Sequence, residues 1–520
     1  MSRLAVSALL ALVLPLGCVR YVPWLPTLAP LPEVSVGPSA APPSVPPVPP
    51  APPAEQPKGP LEIGVRSAIL VALENNPALK VERLNPLITR TSEDVERAAF
   101  DPVLGAEASA SRQRGQTSRS WGLAAEAALA QRLPTGTSVE LGASWTLADG
   151  TNYTDRSDTT RLGLSVTQAL LQGAGVAVNL AGLRQARLDT LASHYELRGF
   201  AETLVSDVEK AYWDYALAQR QIEIYDGSLK LAEQQLSETK ERITIGKLAD
   251  TELAAAQAEV AQRREALIYA RGELAKAHLR LLRLLNPQGA GLWSRGVVLQ
   301  VQPTVPQTAL EPVEDHVQLA LKWRPDLNEA KLRILHGDLE LVKTRNGLLP
   351  KLDLFMTLGK SGYAHSAGHS VGDLGGNAYD AMVGLSYEFP LGNRAAKAQH
   401  ERATLTRQQL DEALANLTQL AQLDVRTAYI EVSRSREQVT ATAATRSFRE
   451  ESLRAETEKF HVGKSTSLLV AQAQRDLVAS QIAEVQAVVN LLKGLVDLFR
   501  VEGSLLERRG IAAPGREPLK

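Results

Sequence analysis

Residues 204–243 read LVSDVEKAYWDYALAQRQIEIYDGSLKLAEQQLSETKERI. Alternate steps of four and three from Leu204 give Val208, Ala211, Tyr215, Ala218, Ile222, Tyr225, Leu229, Ala232, Leu236, Thr239 and Ile243, of which only Thr239 is polar. A seam with a period of about 3.5 residues marks a helix packed along its length against another. Beyond Gly246 the seam resumes as Leu253, Ala256, Val260, Arg263, Leu267, Ala270, Leu274, Ala277, Leu281 and Leu284. Residues 196–286 are therefore expected to be two long helices folded back on each other at Gly246. At about 1.5 Å per residue each arm spans roughly 50–70 Å.

The stretch occurs twice. A shift of 217 residues places Asp207, Ala211, Tyr212, Gly246, Lys247, Ala254, Gln257 and Leu281 on Asp424, Ala428, Tyr429, Gly463, Lys464, Ala471, Gln474 and Leu498, identical at every pair and without a gap. The second hairpin is expected over residues 393–461 and 465–502. Its seam (Ala421, Val425, Ala428, Val432, Ser435, Val439) is less clean. Each copy also opens alike. A short helix (65–74, then 315–322) meets Asn76-Pro77 or Arg324-Pro325, and a longer helix (78–97, then to 345) follows. This opening match needs a shift of 248, so the first copy carries 31 more residues between its opening and its hairpin.

Those residues lie where the period changes to two. Trp121, Leu123, Ala125, Ala127 and Leu129 alternate with small or polar residues. So do Val139, Leu141, Ala143, Trp145 and Leu147, and again Leu162, Leu164 and Val166. Four strands are expected over residues 102–171, with a tight turn at Leu133-Pro134-Thr135-Gly136. The second copy has two, at 352–358 and 379–389, joined by a Gly/Ser/His-rich loop over 359–377. The alternation suits a barrel wall with lipid outside and water inside. A soluble antiparallel sheet with one wet face has the same pattern. If the strands do span a membrane, four to six of them cannot close a barrel, because about eight is the practical minimum. An open edge in lipid leaves N–H and C=O groups unpaired at several kcal/mol each. Several chains must then share one barrel.

The N-terminus reads as an export signal. Arg3 precedes an apolar run over residues 4–14, too short to span a membrane. Cys18 is the single cysteine, so no intrachain disulfide can form. Two readings fit it: lipidation after cleavage behind Gly17, or an ordinary signal cleaved elsewhere. Residues 18–60 are Pro-rich and cannot build a core. The expected organisation is a signal peptide (1–17), that linker, a first repeat (61–290, strands within 102–171, hairpin over 180–286), a connector (291–312), a second repeat (313–503, strands within 351–391, hairpin over 393–502) and a flexible tail (504–520). The expected class is mainly α with a β-barrel part.

The order of these parts, and the two hairpin turns above all, resemble the outer-membrane efflux proteins of the TolC type. The turns are Arg242-Ile-Thr-Ile-Gly246-Lys-Leu-Ala-Asp-Thr-Glu252-Leu253, before Gln257, and Lys459-Phe-His-Val-Gly463-Lys-Ser-Thr-Ser-Leu-Leu-Val470, before Gln474. Thr167-Gln168-Ala169-Leu170 and Glu388-Phe389-Pro390-Leu391 look like the family's strand-to-helix junctions. The similarity covers roughly residues 61–503, and no single motif in it is decisive. It implies a homotrimer, with a strand barrel in outer-membrane lipid and a helical tube across the periplasm. It also implies that the tips (Gly246, Lys247, Leu248, Gly463, Lys464, Ser465) meet a periplasmic adaptor that connects to an inner-membrane pump. The family's constriction can carry acids six and nine residues after the second tip glycine, where this chain has Leu469 and Gln472. In the first copy the position six residues after the glycine is Glu252, read either as a constriction acid or as a plain surface residue of the first turn. Two departures stand out: four strands in the first copy in place of two, and no acid at the second constriction. The extra strands either enlarge the barrel or lie outside it.

Catalytic chemistry is not legible. Gly463-Lys464-Ser465 mimics the end of a phosphate loop, but the glycine required five residues earlier is Glu458. His365 and His369 stand four apart without Cys or carboxylate company. No cofactor, metal or enzyme activity is expected. A balance of 57 Lys and Arg against 58 Asp and Glu, net −1, argues against a nucleic-acid partner. The expected function is passive conduction. The competing class is a soluble periplasmic coiled-coil adaptor or scaffold, which needs neither long alternating strands nor a duplication.

Overall fold

The 3.5-residue seam does form helices, and they are longer than the seam. The structure, a computed structural model, describes residues 59–115, 119–150, 157–246, 248–288, 292–307, 309–512 and 515. The expected signal, Cys18 and nearly all of the linker lie outside the described residues, and Lys247 does too. In chain order the elements are β1 (Leu61–Ile63), α1 (Val65–Asn75), α2 (Pro77–Glu82), α3 (Asn85–Ala98), β2 (Val103–Arg114), β3 (Arg119–Arg132), β4 (Thr137–Gly150), β5 (Ser157–Ala169), α4 (Val176–Asn179), α5 (Ala181–Thr244) and α6 (Thr251–Leu285). Then follow β6 (Val297–Leu299), α7 (Val313–Trp323), α8 (Pro325–Gly347), β7 (Lys351–Ala364), α9 (Ala367–Gly372), β8 (Tyr379–Glu388), α10 (Arg394–His461), α11 (Ser467–Val501) and α12 (Leu505–Arg508).

Helices α5 and α10 contain 64 and 68 residues, roughly 100 Å each at 1.5 Å per residue. Each changes partner along its length. Toward the sheet they flank α8, and α3 packs on α5; toward the turns they pair with α6 and α11. The seam residues Leu204, Val208, Ala211, Tyr215, Ala218, Val260, Leu267, Ala270 and Leu281 are buried, as is Thr239. Arg263 sits in the seam because its guanidinium pairs with the buried Glu259, 2.5 Å away.

The largest core lies midway along α5. Leu204, Val208 and Tyr212 meet Ile63, Ile69, Leu282, Leu285, Val489, Val496, Leu505 and Leu506 there. Strands β1 and β6 pair in parallel and close it, joining the start of the described body to the connector. The Tyr212 hydroxyl donates to the Val301 carbonyl (3.0 Å) and accepts from its N–H (3.1 Å). Three-residue strands are too short to show a period, so the sequence did not reveal this pair.

Three expectations need correction. The helix expected over 78–97 is two helices, because Pro86 in the first turn of α3 has no N–H to continue α2. The loop expected over 359–377 is largely ordered: β7 runs on to Ala364, and α9 folds back onto the sheet, where Thr160 Oγ1 and Ser370 Oγ lie 2.7 Å apart. The tail expected to be flexible from 504 is folded at its start. Leu505 and Leu506 are fully buried, and Arg509 holds Glu209 through two bonds of 2.5 and 2.7 Å. Two leucines among charges give no periodic signal.

Arg198 is fully buried and shared by Glu202 (3.1 Å), Glu507 (2.7 Å) and the Gly503 carbonyl (2.9 Å). Burial raises the Glu202 carboxyl to about 7 against the pull of Arg198, and Glu507 adds to the rise. The folded chain thus holds a proton that the unfolded chain, at its ordinary 4.5, has released. This contribution is full below pH ~4.5 and is lost as the pH rises toward ~7, by about 1.4 kcal/mol per pH unit. Glu202→Gln should flatten the dependence of melting temperature on pH between about 5 and 7, measured on detergent-purified protein. An unchanged slope would show that Glu202 does not titrate there.

Candidate functional site

Two regions at opposite ends of the long helices carry the candidate chemistry: the paired turns and the sheet. At the first turn α5 ends on Ile245, and Gly246 takes φ +73° with its N–H on the Ile243 carbonyl (2.8 Å). At the second, Gly463 takes φ +76°, and the Lys464 N–H reaches back to the Lys459 carbonyl (2.8 Å). A Cβ at either glycine would meet nothing within 4 Å. The left-handed backbone, and not lack of space, is what selects glycine at both. Lys464 is exposed, whereas Leu248 and Ser465 are half-buried. Ser465 bonds Glu456 on its own hairpin.

The turns also hold each other. Ser467 Oγ donates to the Glu252 carboxylate. The Arg242 guanidinium lies 5.1 Å from the centre of the Phe460 ring, with its Nη2 3.5 Å from His461 Nδ1. Arg475 stands 3.8 Å from Glu259. Glu252, expected as a constriction residue, is therefore engaged with the other hairpin. Leu469 and Gln472 are both exposed. The sequence had flagged none of Ser467, Arg242, His461 or Phe460 as cross-turn partners, because 219 residues separate Arg242 from His461.

At the other end lies one antiparallel sheet of six strands, in the order β2-β3-β4-β5-β7-β8. Its register sorts the side chains across all six. Leu104 faces Leu129, which faces Leu141, then Leu164, Leu358 and Ala381. A parallel row runs Val139, Val166, Met356 and Val383. Leu104, Leu129, Leu141, Leu162, Leu358, Val383 and Leu385 are exposed in the single chain. Trp121 and Tyr379 stand on this face toward the loops, and Tyr387 toward the helices. Such flanking aromatics are the girdle expected at the two water interfaces of a spanning sheet. The opposite face carries Glu107, Glu126, Ser144, Arg161, Ser165, Thr357 and Asp380. There Arg161 bridges to Asp380 at 2.6 Å, passing over Gly359, where a Cβ would stand 2.8 Å from the guanidinium. The strands have 10 to 14 residues, and about 9–11 suffice to cross a bilayer core when tilted.

Elsewhere the chemistry is sparse. Among the described residues no group of three or more His, Cys, Asp or Glu could hold a metal. His369 Nδ1 lies 2.8 Å from Ser366 Oγ. No helix in the described residues is long and apolar enough to cross a membrane.

A duplicated strand-and-hairpin unit with a two-faced sheet at one end defines a channel-forming outer-membrane class. The sequence profile of the outer membrane efflux protein family matches residues 68–287 and 316–504. The chain belongs to that family, whose members are channels of the outer membrane. It is 22% identical over 370 residues to the outer membrane efflux protein BepC of Brucella suis, covering 70% of this chain and 77% of that protein. Its fold is similar to that of the Campylobacter jejuni CmeC outer membrane channel (TM-score 0.65, 15% identity, 85% of this chain and 86% of that one). It is also similar to the Vibrio cholerae outer membrane protein VceC (TM-score 0.64, 16% identity, 84% and 96%).

The two faces of β7 separate at adjacent residues. Leu358→Arg should destabilise membrane insertion by about 2–4 kcal/mol, and Thr357→Arg by no more than about 1 kcal/mol. The yield of each variant in the outer-membrane fraction checks this. Equal yields would mean that the apolar face does not meet lipid.

Proposed function

We propose that three copies of this chain form the outer-membrane channel of a tripartite efflux or type I secretion system, conducting small molecules or polypeptides passively to the exterior. One observation carries the reading: a six-stranded sheet with one apolar and one polar face stands at the opposite end of helices of 64 and 68 residues from a matched pair of glycine turns. The sheet supplies the wall in lipid and the helices supply a tube through the periplasm. No nucleotide or metal site is part of the scheme, so energy comes from an inner-membrane pump. The exposed turn residues (Gly246, Gly463, Lys464, with Leu248 and Ser465 beside them) face the periplasmic adaptor that links channel to pump. The proposed adaptor contact extends in sequence to Lys247, one residue past the first glycine and outside the described residues. Cys18 would carry a lipid that tethers the chain through the Pro-rich linker.

A soluble coiled-coil adaptor accounts for the hairpins but leaves the exposed apolar sheet face without a purpose. Two properties separate the readings. A channel migrates as a heat-modifiable trimer from the outer-membrane fraction, and its deletion sensitises the cell to exported compounds. Recovery of the full-length protein as a soluble periplasmic monomer would overturn the proposal.

Opening follows from the contacts between the turns. Glu252→Ala combined with Arg242→Ala removes the bond to Ser467 and the contacts with Phe460 and His461. The double variant should raise single-channel conductance in planar bilayers several-fold at unchanged trimer yield. Unchanged conductance would place the constriction elsewhere.

A further inference from the structure

The two repeats differ in one respect, and the sheet shows where the difference goes. In each copy a helix leads into a first strand (α3 into β2, α8 into β7), and a last strand leads back toward a long helix (β5 toward α5, β8 toward α10). Strands β2 and β5 thus correspond to β7 and β8. The additional pair, β3 and β4, is the surplus of the first copy. In the second copy first and last strands are direct neighbours, but in the first copy β3 and β4 stand between them.

We infer that this hairpin is part of the membrane wall, so that three chains close an eighteen-stranded barrel through β8 of one copy and β2 of the next. The inference rests on the trimeric channel reading and extends it to the width of the pore. Four observations support it. First, β3 pairs with β2 over 12 positions and with β4 over 13, and β4 pairs with β5 over 12, so the surplus strands are bonded into the sheet along their length. Second, both continue the apolar row without a break: Leu129 and Leu141 stand between Leu104 and Leu164. Their 14 residues each match the other strands in reach. Third, their turn is fixed at the helix-side rim. The Gly175 N–H donates to the Thr135 carbonyl (3.1 Å), and the Ala169 N–H donates to that of Gly136 (3.0 Å). The Gly173 N–H in turn bonds Asn346 of α8 (2.7 Å). Fourth, an even number of antiparallel strands leaves β2 and β8 running in opposite senses. Identical copies then join edge to edge with antiparallel pairing throughout, and the unpaired N–H and C=O groups of both edges find partners.

The consequence is size. With strands about 4.8 Å apart and tilted by about 40°, eighteen strands give a backbone diameter of about 36 Å, and twelve give about 24 Å. The helical tube gains nothing, because neither β3 nor β4 leads into a helix. The surplus strands therefore widen the barrel without widening the tube.

Electron cryo-microscopy of the full-length oligomer in lipid nanodiscs tests this directly. The expected result is a trimer with eighteen strands and a barrel about 1.5 times as wide as a twelve-stranded one. A cysteine scan gives a second measurement: Ala108→Cys on β2 with Ala125→Cys on β3, which face each other, should form a disulfide within the chain, whereas Ala108→Cys with Thr160→Cys, Leu162→Cys or Leu164→Cys on β5 should not. A trimer with twelve strands, the β3–β4 hairpin outside the wall and cross-links from β2 to β5 alone would overturn the inference and leave the channel reading intact. A monomer would overturn both.

Discussion

Backbone hydrogen bonding at the ends of the sheet is the constraint on which the architecture depends. Strands β2 and β8 each pair on one side only. A wet edge of this kind is tolerable, because water satisfies it. Beside an apolar face made of Leu104, Leu129, Leu141, Leu164 and Leu358 it is not, because whatever covers that face also excludes water from the edges. One chain cannot bend six strands into a closed wall. Association of identical copies would meet the apolar and the polar demand together, which is why the proposed channel and the proposed oligomer stand or fall together.

The helices answer a different problem, that of length without a broad core. Helices α5 and α10 stay continuous while their neighbours change, α3 and α8 toward the sheet, α6 and α11 toward the turns. Only the middle of α5, where Leu204, Val208 and Tyr212 meet both ends of the described body, is packed as deeply as an ordinary globular core. Toward the turns few residues of α5 are buried, Ala232 and Thr239 among them, and polar contacts such as Ser467 with Glu252 and Arg242 over Phe460 join the hairpins. Such contacts can be exchanged without unfolding the helices, which suits a region proposed to open and close. The buried Arg198 cluster lies beside the core midway along α5: it ties α5 to Gly503 and to Glu507 of α12.

Much of this was legible as period. Leu204 to Ile243 announced a packed helix, the 217-residue shift announced its copy, and the alternation of Val139 to Leu147 announced a strand, because helix and strand place side chains at fixed intervals of sequence. The glycines at 246 and 463 were legible for a related reason, since few other residues accept a positive φ. What escaped had no period. Leu61–Ile63 and Val297–Leu299 are three residues each. Leu505 and Leu506 sit among charges, and α9 in a segment rich in glycine, serine and histidine. Of the proposed site, the turn glycines were visible in advance, but the role of Glu252 was not, because Ser467 lies 215 residues away.

By itself the sequence determined that this protein is a doubled unit of long helical hairpin and alternating strands, since both facts are written in the spacing of apolar residues along one chain. Only the tertiary structure decided how the unequal strand sets combine. Whether β3 and β4 join the sheet or leave it depends on register between strands distant in sequence, and that register is fixed by which face each strand must bury and by where its turn is held.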